Sequence, residues 1–73
     1  MEKITNLKSM KAELDYITNK VADMIVFINS NEFSKLNGSE QDFISQQQLY
    51  MNQYRRILKI RVDKLAKRKQ NEQ

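Results

Sequence analysis

The sequence has no cysteine, no histidine and no proline, and it has a single glycine, Gly38. Disulfide frameworks, zinc fingers and thiol or imidazole catalysis are therefore excluded. The scarcity of helix-breaking residues, combined with many Leu, Ile, Lys, Gln and Glu residues, favours long helices. A chain of 73 residues buries only a modest fraction of its surface. Without disulfides or a metal, self-association is the remaining way to enlarge its core.

Long apolar runs are also absent. The first ten residues contain no continuous apolar stretch of the kind a signal peptide has, and no segment approaches the roughly 20 apolar residues of a membrane span. The sequence therefore predicts a cytoplasmic protein that makes no membrane contact. The lack of cysteine is compatible with that location.

Apolar residues recur in both halves of the chain at alternating steps of three and four, which is the a/d heptad spacing of coiled-coil helices. The first series is Leu7, Met10, Leu14, Ile17, Val21, Met24 and Ile28. The second series, which includes two polar members, is Ile44, Gln47, Met51, Tyr54, Leu58, Arg61 and Leu65. Together they predict an all-α, coiled-coil-like fold over residues 1–73, in which two helices pack as one antiparallel hairpin hinged near Gly38.

The predicted hairpin has a first helix at about residues 2–30, a turn at 31–38 and a second helix at about 39–69. Ser39 is a favourable N-cap for the second helix, and Asp42 lies where a capping box places its second member. Phe33 and Leu36 are apolar within a polar connection. We expect them to cover the end of the hairpin, with residues 32–36 forming one short helical turn.

A second apolar row lies beside the predicted seam of helix 2. It consists of Phe43, Tyr50 and Ile57, together with Ile60, which lies further round the helix surface. Because one row is enough to pack on helix 1, the second row predicts an interface between copies and therefore a homo-oligomer. The alternative is that the two rows merge into one wide face packed on helix 1.

Basic residues are concentrated in the second helix. Residues 55–69 contain eight basic residues and one acidic residue, whereas residues 1–54 contain five lysines and seven acidic residues. The resulting net charge of +7 suits an anionic partner. A solvated helix end, stabilised by the helix dipole, would explain the same cluster. Within the predicted seam, Arg61 lies beside Glu13, so a hydrogen-bonded pair is our hypothesis for why the arginine is tolerated there.

The residue types argue against an enzyme. Glu13, Asp15 and Asp23 fall on different sides of helix 1, and a two-helix hairpin has no enclosed pocket. No catalytic residue, metal site or cofactor is predicted. A small anionic ligand such as a nucleotide would instead lie in a groove between copies, bound by arginine and stacked on tyrosine. The candidate ligand or partner residues are Tyr50, Tyr54, Arg55, Arg56, Lys59 and Arg61.

Two alternatives use overlapping residues. Nucleic acid could bind the basic end of helix 2, including Lys67, Arg68 and Lys69. The tyrosines would then provide a surface on which a base stacks. A protein partner could bind the exposed row Phe43, Tyr50, Ile57 and Ile60, because these residues supply the anchors of a helix that docks in a groove.

Over residues 7–62, which are most of the chain, the sequence resembles a known family. The spacing of Phe27, Ile28, Phe33, Leu36, Gln47, Met51, Tyr54, Leu58 and Arg61 is similar to that of small helical-hairpin proteins of crAss-like and other tailed phages. More distantly, in size and architecture, the chain resembles the hairpin domain of phage anti-defence sponge proteins. The first resemblance implies a two-helix hairpin of phage origin, usually without an assigned activity, and the second implies an oligomer that sequesters cyclic nucleotide signals of host immunity. We therefore expect a phage-encoded, non-enzymatic accessory protein that counters a host defence system by binding, and we place nucleotide sequestration ahead of inhibition of a host protein.

Overall fold

The computed structural model describes the backbone of residues 6–71 and the side chains of residues 6–68. The described residues form three helices and no strand, with α1 (Leu7–Ile28), α2 (Asn31–Ser34) and α3 (Gly38–Asn71) in order. α1 and α3 pack against each other, and Met10 near the start of α1 packs with Leu58 and Val62 of α3. The chain therefore doubles back through α2 into an elongated hairpin of 54 × 19 × 16 Å.

Each helix begins where a side chain caps its first free backbone N–H groups. Asn6 accepts a hydrogen bond from the Ser9 amide (3.1 Å), and Ser30 accepts one from the Phe33 amide (3.3 Å). Capping by Asn or Ser satisfies donors that have no partner inside the helix. Asn6 has an extended backbone, so the predicted start of helix 1 near residue 2 is wrong. Residues 2–5 lie outside the described residues.

The N-terminus of α3 also differs from the prediction. The side chain of Asn37 accepts a hydrogen bond from the Glu40 amide (2.8 Å), and the helix begins at Gly38. Asn37 is therefore the N-cap, and the prediction of Ser39 in that role is wrong because a better-placed cap lies two residues earlier. Gly38 has no positive φ and lies inside the helix, so the chain does not hinge there.

The chain reverses between α1 and α3 with the help of α2. Asn29 and Ser30 bond back to the carbonyls of Ile25 (3.0 Å) and Phe27 (2.6 Å), which ends α1. The ring of Phe33 meets that of Phe27 edge to face at 6.0 Å. Phe33 and Leu36 are both half-buried, so the prediction that they cover this end is confirmed. The predicted short helical turn at residues 32–36 is α2, displaced toward the N-terminus.

The heptad series of α1 faces α3 as predicted. Met10, Ile17 and Val21 are buried, and the other four members are half-buried. The core is most deeply buried near the start of α1, where Met10, Leu58 and Val62 form a buried cluster. Leu7, Leu14 and Leu65 pack around this cluster. We call this part of the molecule the open end of the hairpin, and the part that contains α2 the turn end.

The inner face of α3 is not the predicted one. Gln47, Tyr54 and Arg61 are exposed, whereas Val62 is only 5% exposed. The observed series is Ile44, Gln48, Met51, Arg55, Leu58, Val62 and Leu65, all buried or half-buried. It shares four members with the predicted series, but the helix is rotated so that a valine is buried in place of an arginine. The free energy gained by burying the valine favours this rotation.

Candidate anion-binding groove

A groove of about 290 Å³ lies at the open end of the hairpin. Its lining combines the apolar side chains Met10 and Leu65 with three cations of α3, namely Arg61, Lys64 and Arg68. Positions three, four and seven residues apart share one face of an α-helix, so the three cations line up along the same side of α3. The floor is part of the best-buried region of the core, which limits movement of the backbone that carries the cations.

α1 adds cations at the same end. Lys8 and Lys11 line a second depression of about 370 Å³, together with Asn6 and Leu7 at the start of α1. Cations of both long helices therefore gather at the open end. Such clustering raises the local concentration of anions and strengthens their binding at low salt.

Tyr54 lies on the same side of α3 as Arg61, seven residues earlier and roughly 10 Å along the helix axis. Its hydroxyl donates a hydrogen bond to the Glu13 carboxylate of α1 (3.3 Å). Partial burial and, next, the negative charge of Glu13 raise the pKa of the Tyr54 phenol above its ordinary value, while the charge of Arg61 lowers it. The ring itself remains 44% exposed. An aromatic surface and cations are therefore accessible along one side of α3.

The hypothesis that Arg61 pairs with Glu13 stays a prediction. Glu13 accepts the hydrogen bond of Tyr54, and Arg61 acts electrostatically on the same phenol. The three side chains therefore belong to one polar group above the seam. The rotation of α3 places Arg61 at the edge of the groove instead of in the seam.

The structure separates the other predicted cations from the groove. Arg55 is half-buried on the inner face of α3, and its Nε donates a hydrogen bond to Asn52 Oδ1 (2.9 Å). Arg56 donates to Gln53 Oε1 (3.2 Å) on the exposed surface. Lys59 forms a salt bridge with Asp63 (3.2 Å), which offsets its charge.

Of the six candidate ligand residues, Tyr50, Tyr54 and Arg61 share one side of α3. Lys64, which lines the groove, was not among the candidates. Its position three residues after Arg61 on the same helix face was the available signal.

The predicted oligomer row is exposed. Phe43, Tyr50, Ile57 and Ile60 are each more than half exposed. The alternative in which both rows of helix 2 merge into one face packed on helix 1 is therefore wrong. Self-association through this row stays a prediction.

The described residues contain no group of three or more His, Cys, Asp or Glu side chains arranged to hold a metal ion. None of the helices in this part of the chain is long and apolar enough to cross a membrane.

The fold and groove define a helical-hairpin protein with a cationic site at its open end. The family model named Sequestin matches residues 4–64 of the chain. The match covers most of the chain, so the protein belongs to the Sequestin family. The family name indicates a sequestering role. No curated protein and no solved structure shows significant similarity to the chain.

Proposed function

We propose that this protein is a phage-encoded, non-enzymatic accessory protein that counters a host defence system by sequestering a small nucleotide as a homo-oligomer. The observation that supports this most strongly is the groove, where Arg61, Lys64 and Arg68 surround an apolar floor. Membership of the Sequestin family supports a role in binding instead of turnover. The phage origin rests on the resemblance described above.

The phosphate groups of the nucleotide would bind at the groove. Arginine presents two parallel N–H donors to a phosphate, and lysine adds a mobile positive charge. Three cations on one helix face match a ligand that carries two or more phosphate charges. The apolar floor excludes water from part of the groove, which strengthens each charged hydrogen bond.

The base would stack near Tyr54. A tyrosine ring that is nearly half exposed offers a flat surface for a base, and this kind of stacking contributes about 1–3 kcal/mol per base. Tyr54 lies roughly 10 Å along α3 from Arg61, a span compatible with a nucleotide lying along the helix. Glu13, which accepts the hydrogen bond of the Tyr54 hydroxyl, would also offer an acceptor to a ribose hydroxyl of the bound nucleotide.

Thermal shift against a panel of cyclic and linear nucleotides tests the proposal. A ligand at 100 times its dissociation constant should stabilise the protein by about 2.7 kcal/mol. A panel in which no nucleotide shifts the melting temperature would contradict the proposal and favour inhibition of a host protein. Binding of random DNA at low salt, with no preference for a mononucleotide, would favour the nucleic-acid alternative.

A pair of double variants locates the site for any nucleotide that binds. Lys64→Gln with Arg68→Gln removes two groove cations, so affinity should fall roughly tenfold to hundredfold. Arg56→Gln with Lys59→Gln removes the same charge from other positions of α3 and is the matched control. Equal losses from both pairs in isothermal titration calorimetry would indicate binding to net charge and not to the groove.

Two substitutions of one residue test the stacking role. Tyr54→Phe keeps the ring and should preserve affinity to within about threefold, whereas Tyr54→Leu should reduce it about tenfold. Equal affinity of the two variants would remove Tyr54 from the binding site and leave the cations unaffected.

A further inference from the structure

Glu13 places a negative charge on the same side of the hairpin as Tyr54 and Arg61. Its carboxylate accepts the hydrogen bond of the Tyr54 hydroxyl (3.3 Å), and both Glu13 and Arg61 act electrostatically on this phenol. Tyr54 lies seven residues before Arg61, roughly 10 Å along α3. This side of the hairpin therefore carries positive charge at the groove and a negative charge at the level of Tyr54.

The other acidic side chains within residues 6–68 are not placed to act on a ligand that extends from the groove to this level. Asp63 is two residues from Arg61, so it points to a different side of α3, and it already forms a salt bridge. Asp15 is two residues from Glu13 and likewise points to a different side of α1. Asp23 lies roughly 15 Å farther toward the turn end. Among the described carboxylates, Glu13 is therefore the one that such a ligand meets.

A carboxylate at this position distinguishes a sugar hydroxyl from a phosphate. It accepts a hydrogen bond from a ribose hydroxyl, whereas it repels a phosphate. Glu13 is exposed, so water and salt weaken the repulsion. The Debye length is about 8 Å at physiological ionic strength, however, so a phosphate in direct contact with the carboxylate is screened only in part. The groove cations have the opposite preference, because they bind phosphate.

We propose that Glu13 selects nucleotides that carry their phosphate charge at one end and have a free ribose hydroxyl on the other side. The phosphates bind the groove cations, the base stacks on Tyr54, and the free hydroxyl donates to Glu13. A phosphate attached to that hydroxyl would meet a negative charge instead. This inference rests on the proposed function and extends it, because it assigns the residue that determines which class of nucleotide the site accepts.

The same carboxylate would separate a small nucleotide from a strand of nucleic acid. Residues 55–69 carry a net charge of +7, which attracts any polyanion. In a strand, however, every internal sugar carries a phosphate on both sides. A strand that fills the groove would therefore bring a further phosphate to Glu13. The cost of that contact lowers the affinity for nucleic acid and leaves the affinity for a mononucleotide intact.

Isothermal titration calorimetry with two isomeric ligands tests the selection. ADP carries both phosphates on one side of the ribose, whereas adenosine 3′,5′-bisphosphate carries one on each side. The wild type should bind ADP about tenfold more tightly or better, and Glu13→Gln should reduce this preference to about threefold or less. A wild type that binds the two ligands equally, prefers the bisphosphate or binds neither would overturn the inference.

Asp15→Asn is the matched control, because Asp15 is also exposed on α1 and its loss changes the net charge by the same amount. It should leave the preference for ADP within about twofold of the wild-type value. Equal effects of Asp15→Asn and Glu13→Gln would show that net charge sets the preference, and would overturn the inference.

The two levels of the proposal fail in different ways. If the wild type binds both isomers and Glu13→Gln leaves its preference unchanged, the selection by Glu13 is overturned and the proposed function stands. If the wild type binds no nucleotide of the wider thermal-shift panel, the proposed function is overturned and the selection by Glu13 fails with it.

Discussion

The two ends of the hairpin are held together by different interactions. At the turn end, side chains bond to the main chain, and Gln41 donates to the carbonyls of both Phe33 (3.1 Å) and Leu36 (3.0 Å). At the open end, the buried cluster of Met10, Leu58 and Val62 lies beneath the cations. Polar caps fix local chain direction, whereas a buried cluster fixes the separation of two helices.

This difference indicates where the molecule is built for binding. Cations repel one another, so gathering them at one end lowers stability unless other interactions compensate. The buried cluster of Met10, Leu58 and Val62 lies below these cations, and we expect its burial to offset their repulsion. The turn end carries no comparable charge and is held by weaker, local hydrogen bonds. We therefore expect the open end to dominate both stability and ligand binding.

The largest expected effect is that of Leu58→Ala. Leu58 is 2% exposed, and truncating a fully buried leucine costs about 2–5 kcal/mol. Leu36→Ala at the turn end removes a half-buried side chain and should cost roughly 1 kcal/mol. Urea denaturation followed by circular dichroism measures both.

Leu49→Ala is the control for this comparison, because Leu49 is exposed on α3 and should change stability by less than about 0.5 kcal/mol. If Leu36→Ala proved as costly as Leu58→Ala, the stability of the hairpin would not be concentrated at its open end.

An intermediate effect is expected for the N-cap of α3 at the turn end. Asn37→Ala removes the acceptor for the Glu40 amide and should cost about 1 kcal/mol. Ser39→Ala, two residues later, lies inside the helix and should change stability by less than about 0.5 kcal/mol. Thermal denaturation of the two variants compares them directly. A larger loss from Ser39→Ala would show that the helix begins later than Gly38.

The smallest expected effect concerns the ionisation of Tyr54 near the open end. Glu13→Gln should lower the pKa of Tyr54, because the negative charge that opposes phenolate formation is removed. Arg61→Gln should raise it further, because a stabilising positive charge is lost. NMR titration of labelled tyrosine measures each shift. Changes of the Tyr54 pKa in the opposite directions would show that Glu13 and Arg61 do not act on the phenol as described.

The same phenol gives a pH dependence of stability. The pKa of Tyr54 is higher in the folded protein than in the unfolded chain, so its contribution to stability is present below the unfolded pKa. That contribution is lost as the pH rises through the folded pKa. Tyr54→Phe should therefore lose less stability than the wild type in the alkaline range above about pH 10. Parallel losses in the two proteins would contradict the pKa shift.

The sequence predicted the buried face of α1 and the covered turn because their patterns allow one interpretation. The heptad series of α1 is wholly apolar, so only one face of the helix can be buried. Phe33 and Leu36 are isolated apolar residues in a polar connection, and burial at the end of the hairpin is the only way to remove them from water. The sequence did not determine which residue is the N-cap of α3, because Asn37 and Ser39 are both favourable at that position.

The register of α3 was not predicted because two heptad series share the residues Ile44, Met51, Leu58 and Leu65. The two series differ at three positions. The first position holds Gln47 or Gln48, and the second holds Tyr54 or Arg55, so neither choice buries an aliphatic residue there. The third position, Arg61 or Val62, is decisive because burying valine is favourable and burying arginine is costly. The position of the groove depends on this rotation, so its lining by Lys64 followed only from the structure.

The most direct test of the binding site is an NMR titration of the labelled protein with a nucleotide identified by thermal shift. The proposal predicts that amide signals at the open end, around Arg61, Lys64 and Arg68, and that of Tyr54 shift saturably with ligand concentration. Signals of α2 and the first turn of α3 should change little. Shifts centred on the turn end, or spread evenly over every cationic residue, would contradict the assignment of the groove as the binding site.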